Sequence, residues 1–251
     1  MNGFGRGLGL NLTPVVKNLV IINVVMWVLS FLADSLFAMN LNEKLGMFYF
    51  GSSHFNPIQI VSHMFMHGGI EHIFFNMYAL VLFGTVLEQT WGGKRFLIYY
   101  LITGLGAALI HNLVNFIHAQ SLMSELSPEV IEMIKTEGRE VLLSGKQYTD
   151  SAWASMNLIY NIPTVGASGA VFGVLLAFGM LFPDVRLQLL FPPVALKAKH
   201  LVIGYGALEL FLGITQPGSN IAHFAHLGGM IFGFILIKYF KKNQSNHNRW
   251  N

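Results

Sequence analysis

Six apolar runs set the terms for this chain: residues 16–37, 69–88, 95–117, 167–183, 200–215 and 221–240. Runs of about 20 apolar residues are the length of a bilayer-crossing helix. Inside hydrocarbon no water is present to satisfy backbone N–H and C=O groups, so each such run is expected to form a helix. Composition agrees: 53% of residues are apolar and 11% charged, against about 25% charged in an ordinary soluble domain. The 26 glycines suit helices that pack closely in a membrane. The expected fold class is therefore an all-α polytopic membrane protein, a six-transmembrane-helix bundle.

The six runs organise the rest. Residues 1–15 read as a short cytoplasmic segment, 16–240 as one six-span membrane domain, and 241–251 as a cytoplasmic tail. The run after Arg6 and Lys17 is too long for a cleavable signal, so the first span is expected to anchor itself. With the N-terminus inside, Arg6, Lys17, Lys94, Arg95, Arg186, Lys197, Lys199, Lys238, Lys241, Lys242 and Arg249 fall on the inner side. Lys44, Lys135, Arg139 and Lys146 fall outside, and eleven against four places both termini in the cytoplasm. The expected location is a bacterial cytoplasmic (inner) membrane. The net charge of +3 comes from span ends and implies no nucleic-acid partner. With no Cys, thiolate chemistry and disulfides are excluded.

Two outer loops are long, 38–68 and 118–166. The second contains "SPEVIEMIKTEGREVLLSG", in which Ser127-Pro128-Glu129 is a helix start and Val130, Ile131, Ile134 and Val141 mark an amphipathic surface helix. This loop is expected to be an insertion without a catalytic part.

Polar residues then stand out by depth. His72 and Asn76 lie in the first turns of the second span, with His63 and His67 just before it in "SHMFMHGGIEHIFFN". Ser168 opens the fourth span in "TVGASGAVFG". His223 and His226 lie in the first turns of the sixth, in "AHFAHLGGMIFG". All fall at the outer end. A serine hydroxyl becomes a nucleophile when a base takes its proton, and histidine is the usual base. His72 and Asn76, four residues apart, leave the same helix face and are suited to donate to an oxyanion, with the Ser168 backbone N–H as a third donor. Gly169 with Gly173 and Gly229 with Gly233 are GxxxG pairs that would let the fourth and sixth spans approach. Phe172, four residues after Ser168, is placed to pack on an imidazole. His226 shares a face with Gly229 and Gly233 and is the expected base; His223, nearer the surface, is expected to be solvated or substrate-facing.

Other chemistries fit less well. His63, His67 and His72 could ligate zinc, but no H-E-x-x-H is present, and His63 and His67 read as structural. Asp34, Asp150 and Asp184 lie outside the span cores, and Lys197 and Lys199 fall on the side away from Ser168. A haem-binding His pair or a His-lined transporter leaves Ser168 and Asn76 without a role. No metal and no cofactor are expected.

These motifs resemble the rhomboid family of intramembrane serine proteases over about residues 55–240. "HMFMHGGIEHIFFN" is similar to its H-x3-H-x4-H-x3-N signature, "GASGAVFG" to its G-x-S-G nucleophile segment, and "AHLGGMIFG" to its base segment. "FNPIQIVSHMFMHGG" and "FGTVLEQTWGGKRFLIYYL" resemble flanking family text, with Glu88 where the family tends to carry an acid. The resemblance implies a six-helix rhomboid-like bundle whose fourth helix starts below the outer surface. It implies Ser168 as nucleophile, His226 as base, and His72 and Asn76 as oxyanion stabilisers. His67, Gly166, Gly169, Phe172, Gly229 and Gly233 would support the site. It also implies a Ser–His dyad with no third acid, in keeping with the absence of an Asp or Glu next to His226 in sequence. The substrates would be transmembrane helices of membrane proteins, cut near their outer ends within the lipid bilayer. The alternative is an inactive rhomboid-like protein that binds such helices. The first outer loop departs from the family in lacking its frequent Trp-Arg pair.

Overall fold

The computed structural model describes residues 12–188, 194–216 and 222–247. Its helices, in chain order, are α1 (Pro14–Phe37), α2 (Leu41–Leu45), α3 (Gln59–Ser62), α4 (Ile70–Ala79), α5 (Thr85–Trp91), α6 (Gly93–Met123), α7 (Pro128–Leu143), α8 (Ser151–Asn161), α9 (Ser168–Leu181), α10 (Ala198–Thr215) and α11 (His223–His247). One π-helical stretch, Leu80–Gly84, joins α4 to α5, so Ile70–Trp91 runs on as a single span. The terminal segments 1–11 and 248–251, including Arg6 and Arg249, lie outside the described residues.

Four helical segments are long and apolar enough to cross a membrane: Pro14–Phe37, Ile70–Trp91, Gly93–Met123 and His223–Lys242. The chain is thus a helical multi-pass membrane bundle. The expected fourth and fifth spans are helices too, though less simple ones. α9 is apolar but only 14 residues long, about 21 Å at 1.5 Å per residue, short of the ~30 Å hydrocarbon core. α10 has 18 residues and carries Glu209 in its interior. A feature the sequence reading lacked is a small antiparallel pair, Arg186–Gln188 with Ala195–Lys197, between α9 and α10. There Lys197 and Lys199 both reach Asp184 at 3.0 Å.

Small residues decide how close the central helices come. α9 packs between α6 and α11. A Cβ on Gly173 would meet the Thr103 side chain of α6, and one on Gly169 would meet Ala107 of α6. A Cβ on Gly229 would run into the backbone carbonyl of Gly169, and one on Gly233 would approach Gly173 Cα at 3.4 Å. The α11 glycines thus lie on the backbone of the α9 glycines, Gly229 on Gly169 and Gly233 on Gly173, and the two helices approach there. The α11 glycines face α9, while the α9 glycines face α6. The Tyr99 hydroxyl, buried on α6, donates to the Gly173 carbonyl at 2.7 Å and ties the third helix in.

α1 lies at the rim. Only Val16, Leu19 and Asn23 are buried, and its other apolar residues, such as Phe31 and Leu36, are left for lipid. Its N-terminus is held by Glu88, whose two carboxylate oxygens accept from Val15 N–H at 3.0 Å and Val16 N–H at 2.9 Å. A carboxylate on the free N–H groups of a helix start meets both their hydrogen-bonding need and the positive end of the helix dipole.

The 118–166 region is ordered by its own caps. α7 begins where Ser127 and Pro128 predict, with Val130 N–H directed to Ser127 Oγ. Asp150 Oδ1 caps α8 through Ala152 and Trp153 N–H. Ile134, Met156, Ile159 and Tyr160 close on Ala119, Leu122 and Tyr49 as a second apolar cluster. From α7, Arg139 reaches Glu43 at 2.7 Å, donates to Asn161 O at 3.3 Å, and sits 5.2 Å over the Phe48 ring. The 38–68 loop, without a Trp-Arg pair of its own, is thus braced by an arginine from the 118–166 region.

Candidate active site

The site is assembled at the start of α9. Ser168 is its first residue, preceded by Gly166 at φ +128°, a backbone conformation open to glycine and costly for other residues. Gly166 N–H donates to the His63 carbonyl at 2.9 Å, and Met47 and Thr164 form a β-bridge beside it. These ties fix the strand that leads into the serine. His63 Nδ1 lies 2.8 Å from the Gln59 carbonyl, which ties its ring into the preceding helical turn.

Across the α9–α11 contact, Ser168 Oγ lies 2.9 Å from His226 Nε2. The Gly229–Gly169 contact, one turn below, is what permits this spacing. The imidazole lies flat on Phe172, ring centroids 4.2 Å apart and planes 4° from parallel. Ser168 Oγ, His226 Nε2 and Phe172 thus form one unit shared by two helices.

On the other side of Ser168 stands His72. A methyl group on Gly166 would lie 2.7 Å from His72 Nε2 and 3.6 Å from Ser168 Oγ, so both atoms border the space that glycine leaves open. Gly68 N–H points at His72 Nδ1 at 3.4 Å, and the Asn76 amide donates to the His72 carbonyl at 2.8 Å one turn on. Asn76 is buried. His67 packs its ring edge-on to His72 at 5.0 Å. Burial, with the His72 ring adding to it, pushes the His67 imidazole down to about 3, which keeps it neutral. Neither of its ring nitrogens has a partner among the described residues.

Two residues enter that the sequence reading missed. His111 of α6 reaches the rear of the site, its Nε2 2.9 Å from Thr164 Oγ1, and with His63, Thr164 and Gly166 it lines a small cavity behind Ser168. Glu209 of α10 is buried beside both α11 histidines: its Oε2 is 2.6 Å from His223 Nδ1 and 3.0 Å from His226 Nδ1. The first contact is an aligned hydrogen bond; the second is ion-pair close but off line, leaving Nδ1 without a straight partner. This corrects two expectations. An acid does stand beside His226, brought from another helix, and His223 is buried against it instead of being solvated. The signal was present, since a single carboxylate in an apolar run is costly in hydrocarbon and so marks a partnered, functional position.

Glu209, His223 and His226 each offer one donor atom within a 4.8 Å group. Ligands of a tetrahedral zinc ion at ~2.0–2.1 Å would stand roughly 3.3 Å apart. The 2.6 and 3.0 Å separations are those of groups bonded directly to one another.

A membrane bundle with a serine–histidine pair where two helices touch at glycine defines a narrow class. The rhomboid domain matches residues 54–243, and the chain belongs to the rhomboid family. It is 30% identical over 223 residues to RHOMBOID-like protein 12, mitochondrial, of Arabidopsis thaliana, covering 88% of this chain and 56% of that protein. Rhomboid protein 1, mitochondrial, of Saccharomyces cerevisiae is 27% identical, covering 74% of this chain and 43% of its own length. Rhomboid protease AarA of Providencia stuartii is 26% identical over 178 residues, 69% of this chain and 52% of that protein. The chain spans about half the length of these curated relatives.

Proposed function

We propose that this chain is an intramembrane serine endopeptidase that cuts transmembrane helices near their outer ends. The observation that carries this reading is the 2.9 Å approach of Ser168 Oγ to His226 Nε2. With Nε2 unprotonated, the hydroxyl donates to it. As Oγ attacks the scissile carbonyl carbon, the proton passes to Nε2 and the carbonyl oxygen takes the negative charge. The oxyanion has three donors at hand: His72 Nε2–H, the Asn76 amide and the Ser168 backbone N–H. Gly68 N–H at His72 Nδ1 favours the tautomer that leaves the proton on Nε2. His226 then protonates the departing amine, and a water, deprotonated by the same imidazole, releases the acyl group from Ser168.

In this reading the partners are membrane-protein helices and the surrounding bilayer. Both termini are cytoplasmic and the site opens outward, supported by the eleven-to-four division of Lys and Arg. The bacterial cytoplasmic membrane stays part of the proposal, although the relatives include mitochondrial proteins. The test is labelling of the purified protein with a fluorophosphonate, alongside cleavage of a reporter transmembrane substrate. Wild type should label and cleave, while Ser168→Ala and His226→Ala should do neither. A Ser168→Ala protein that still cleaves removes Ser168 from the chemistry.

A further inference from the structure

His226, as the base of the proposed reaction, must hold its neutral-state proton on Nδ1 to keep Nε2 free for Ser168. When Nε2 also gains a proton, the imidazolium has its Nδ1–H buried. Among the described residues that atom has no hydrogen-bond partner, and the only carboxylate next to it is Glu209 Oε2 at 3.0 Å. A buried N–H⁺ without an acceptor would oppose the proton transfer. We infer that Glu209 is a positioning residue that makes the site a Glu–His–Ser array: its carboxylate selects the Nδ1–H tautomer of His226 and takes up the charge formed at the imidazole. This rests on the protease reading above and extends it by one residue.

The rest of the geometry supports that part. His223 Nδ1, aligned on the same oxygen at 2.6 Å, anchors the carboxylate so that it does not swing away from His226. Phe172 covers one face of the ring at 4.2 Å, and an aromatic face also attracts an imidazolium. The 3.0 Å contact is off line in the resting site and is expected to straighten as the ring becomes charged. The groups around His226 are Glu209 on α10, His223 on its own helix and Ser168 on α9; beyond them Tyr205 of α10 packs on the Phe172 ring, His72 borders Ser168 Oγ, and His111 lines the cavity behind Ser168. Among these, Glu209 alone carries a carboxyl group.

The experiment is the pH profile of kcat/KM for wild type, Glu209→Gln and Glu209→Asp on the reporter substrate in detergent, with thermal unfolding measured on the same samples. Glu209→Gln should lose at least about 10²-fold in kcat with KM nearly unchanged, as in triads where the acid becomes an amide and the wrong tautomer is favoured. Loss of the negative charge makes the imidazolium easier to deprotonate, so the acid limb should move to lower pH. Glu209→Asp keeps the charge and should restore part of the rate with a limb close to wild type. Activity that falls only in step with folded protein, or an unmoved limb in Glu209→Gln, overturns the inference. If Glu209→Gln does not fold, Glu209→Asp decides. A shorter acid that keeps the limb but lowers kcat, at unchanged folded fraction, supports the inference, and full wild-type kcat in that variant overturns it. A wild type that neither labels nor cleaves ends the protease reading itself; a cleaving wild type with the adverse Glu209 results ends only the role of Glu209.

Discussion

The imidazole of His226 and the phenyl ring of Phe172 lie face to face, 4.2 Å apart and 4° from parallel, although they come from different helices. Such a contact holds the base in the plane where its Nε2 meets Ser168 Oγ. A leucine at 172 fills much of the volume but has no flat face. Aromatic contacts of this type contribute about 0.5–1.5 kcal/mol, so Phe172→Leu should lower kcat about 3- to 10-fold with little change in KM. Steady-state cleavage of the reporter substrate checks it, and unchanged kcat would remove the stack from the mechanism.

Gly229 sets the α9–α11 distance, since a Cβ there would collide with the Gly169 carbonyl. Overpacking of this kind costs about 1–3 kcal/mol. Gly229→Ala should both lower thermal stability and pull His226 from Ser168, giving loss of fluorophosphonate labelling in protein that remains folded. Gly204, where a Cβ would meet nothing within 4 Å, is the matched control, and Gly204→Ala should label like wild type.

Asn76 gives its amide to the His72 carbonyl in the resting site and retains a second N–H for an oxyanion. If it donates there, Asn76→Ala should lower kcat by about 10²-fold or less, because His72 and the Ser168 N–H stay in place. Wild-type turnover in the variant would exclude Asn76 from transition-state stabilisation.

Topology is open to a direct measurement because the chain has no native cysteine. Glu132→Cys, at an exposed position of α7, should react with an impermeant maleimide in sealed cells, and Lys242→Cys, exposed near the end of α11, should not. Labelling of Lys242→Cys alone would invert the orientation and move the site to the cytoplasmic face.

Much of this was legible in one dimension. Hydropathy located the four long apolar helices and the shorter α9 and α10, and shared depth singled out Ser168, His226, His72 and Asn76 as candidates, because position along a membrane normal scales directly with residue number in a span. Ser127 and Asp150 marked their helix starts because a cap is a local interaction, closed within three residues. Rotation about the helix axis and the choice of neighbour are different quantities. They depend on which small residues let which backbones approach, and only the folded bundle decides that. Packing turned the Gly169 and Gly173 stripe toward α6 and set Gly229 on α9. It brought Arg139 across to Glu43 and Phe48 from nearly a hundred residues away. It also placed the lone carboxylate of α10 between two histidines of α11. The sequence by itself determined the spans, their polar residues and the family. The tertiary structure decided that the serine–histidine pair has an acid behind it, because a buried charge finds its partner through space and not along the chain.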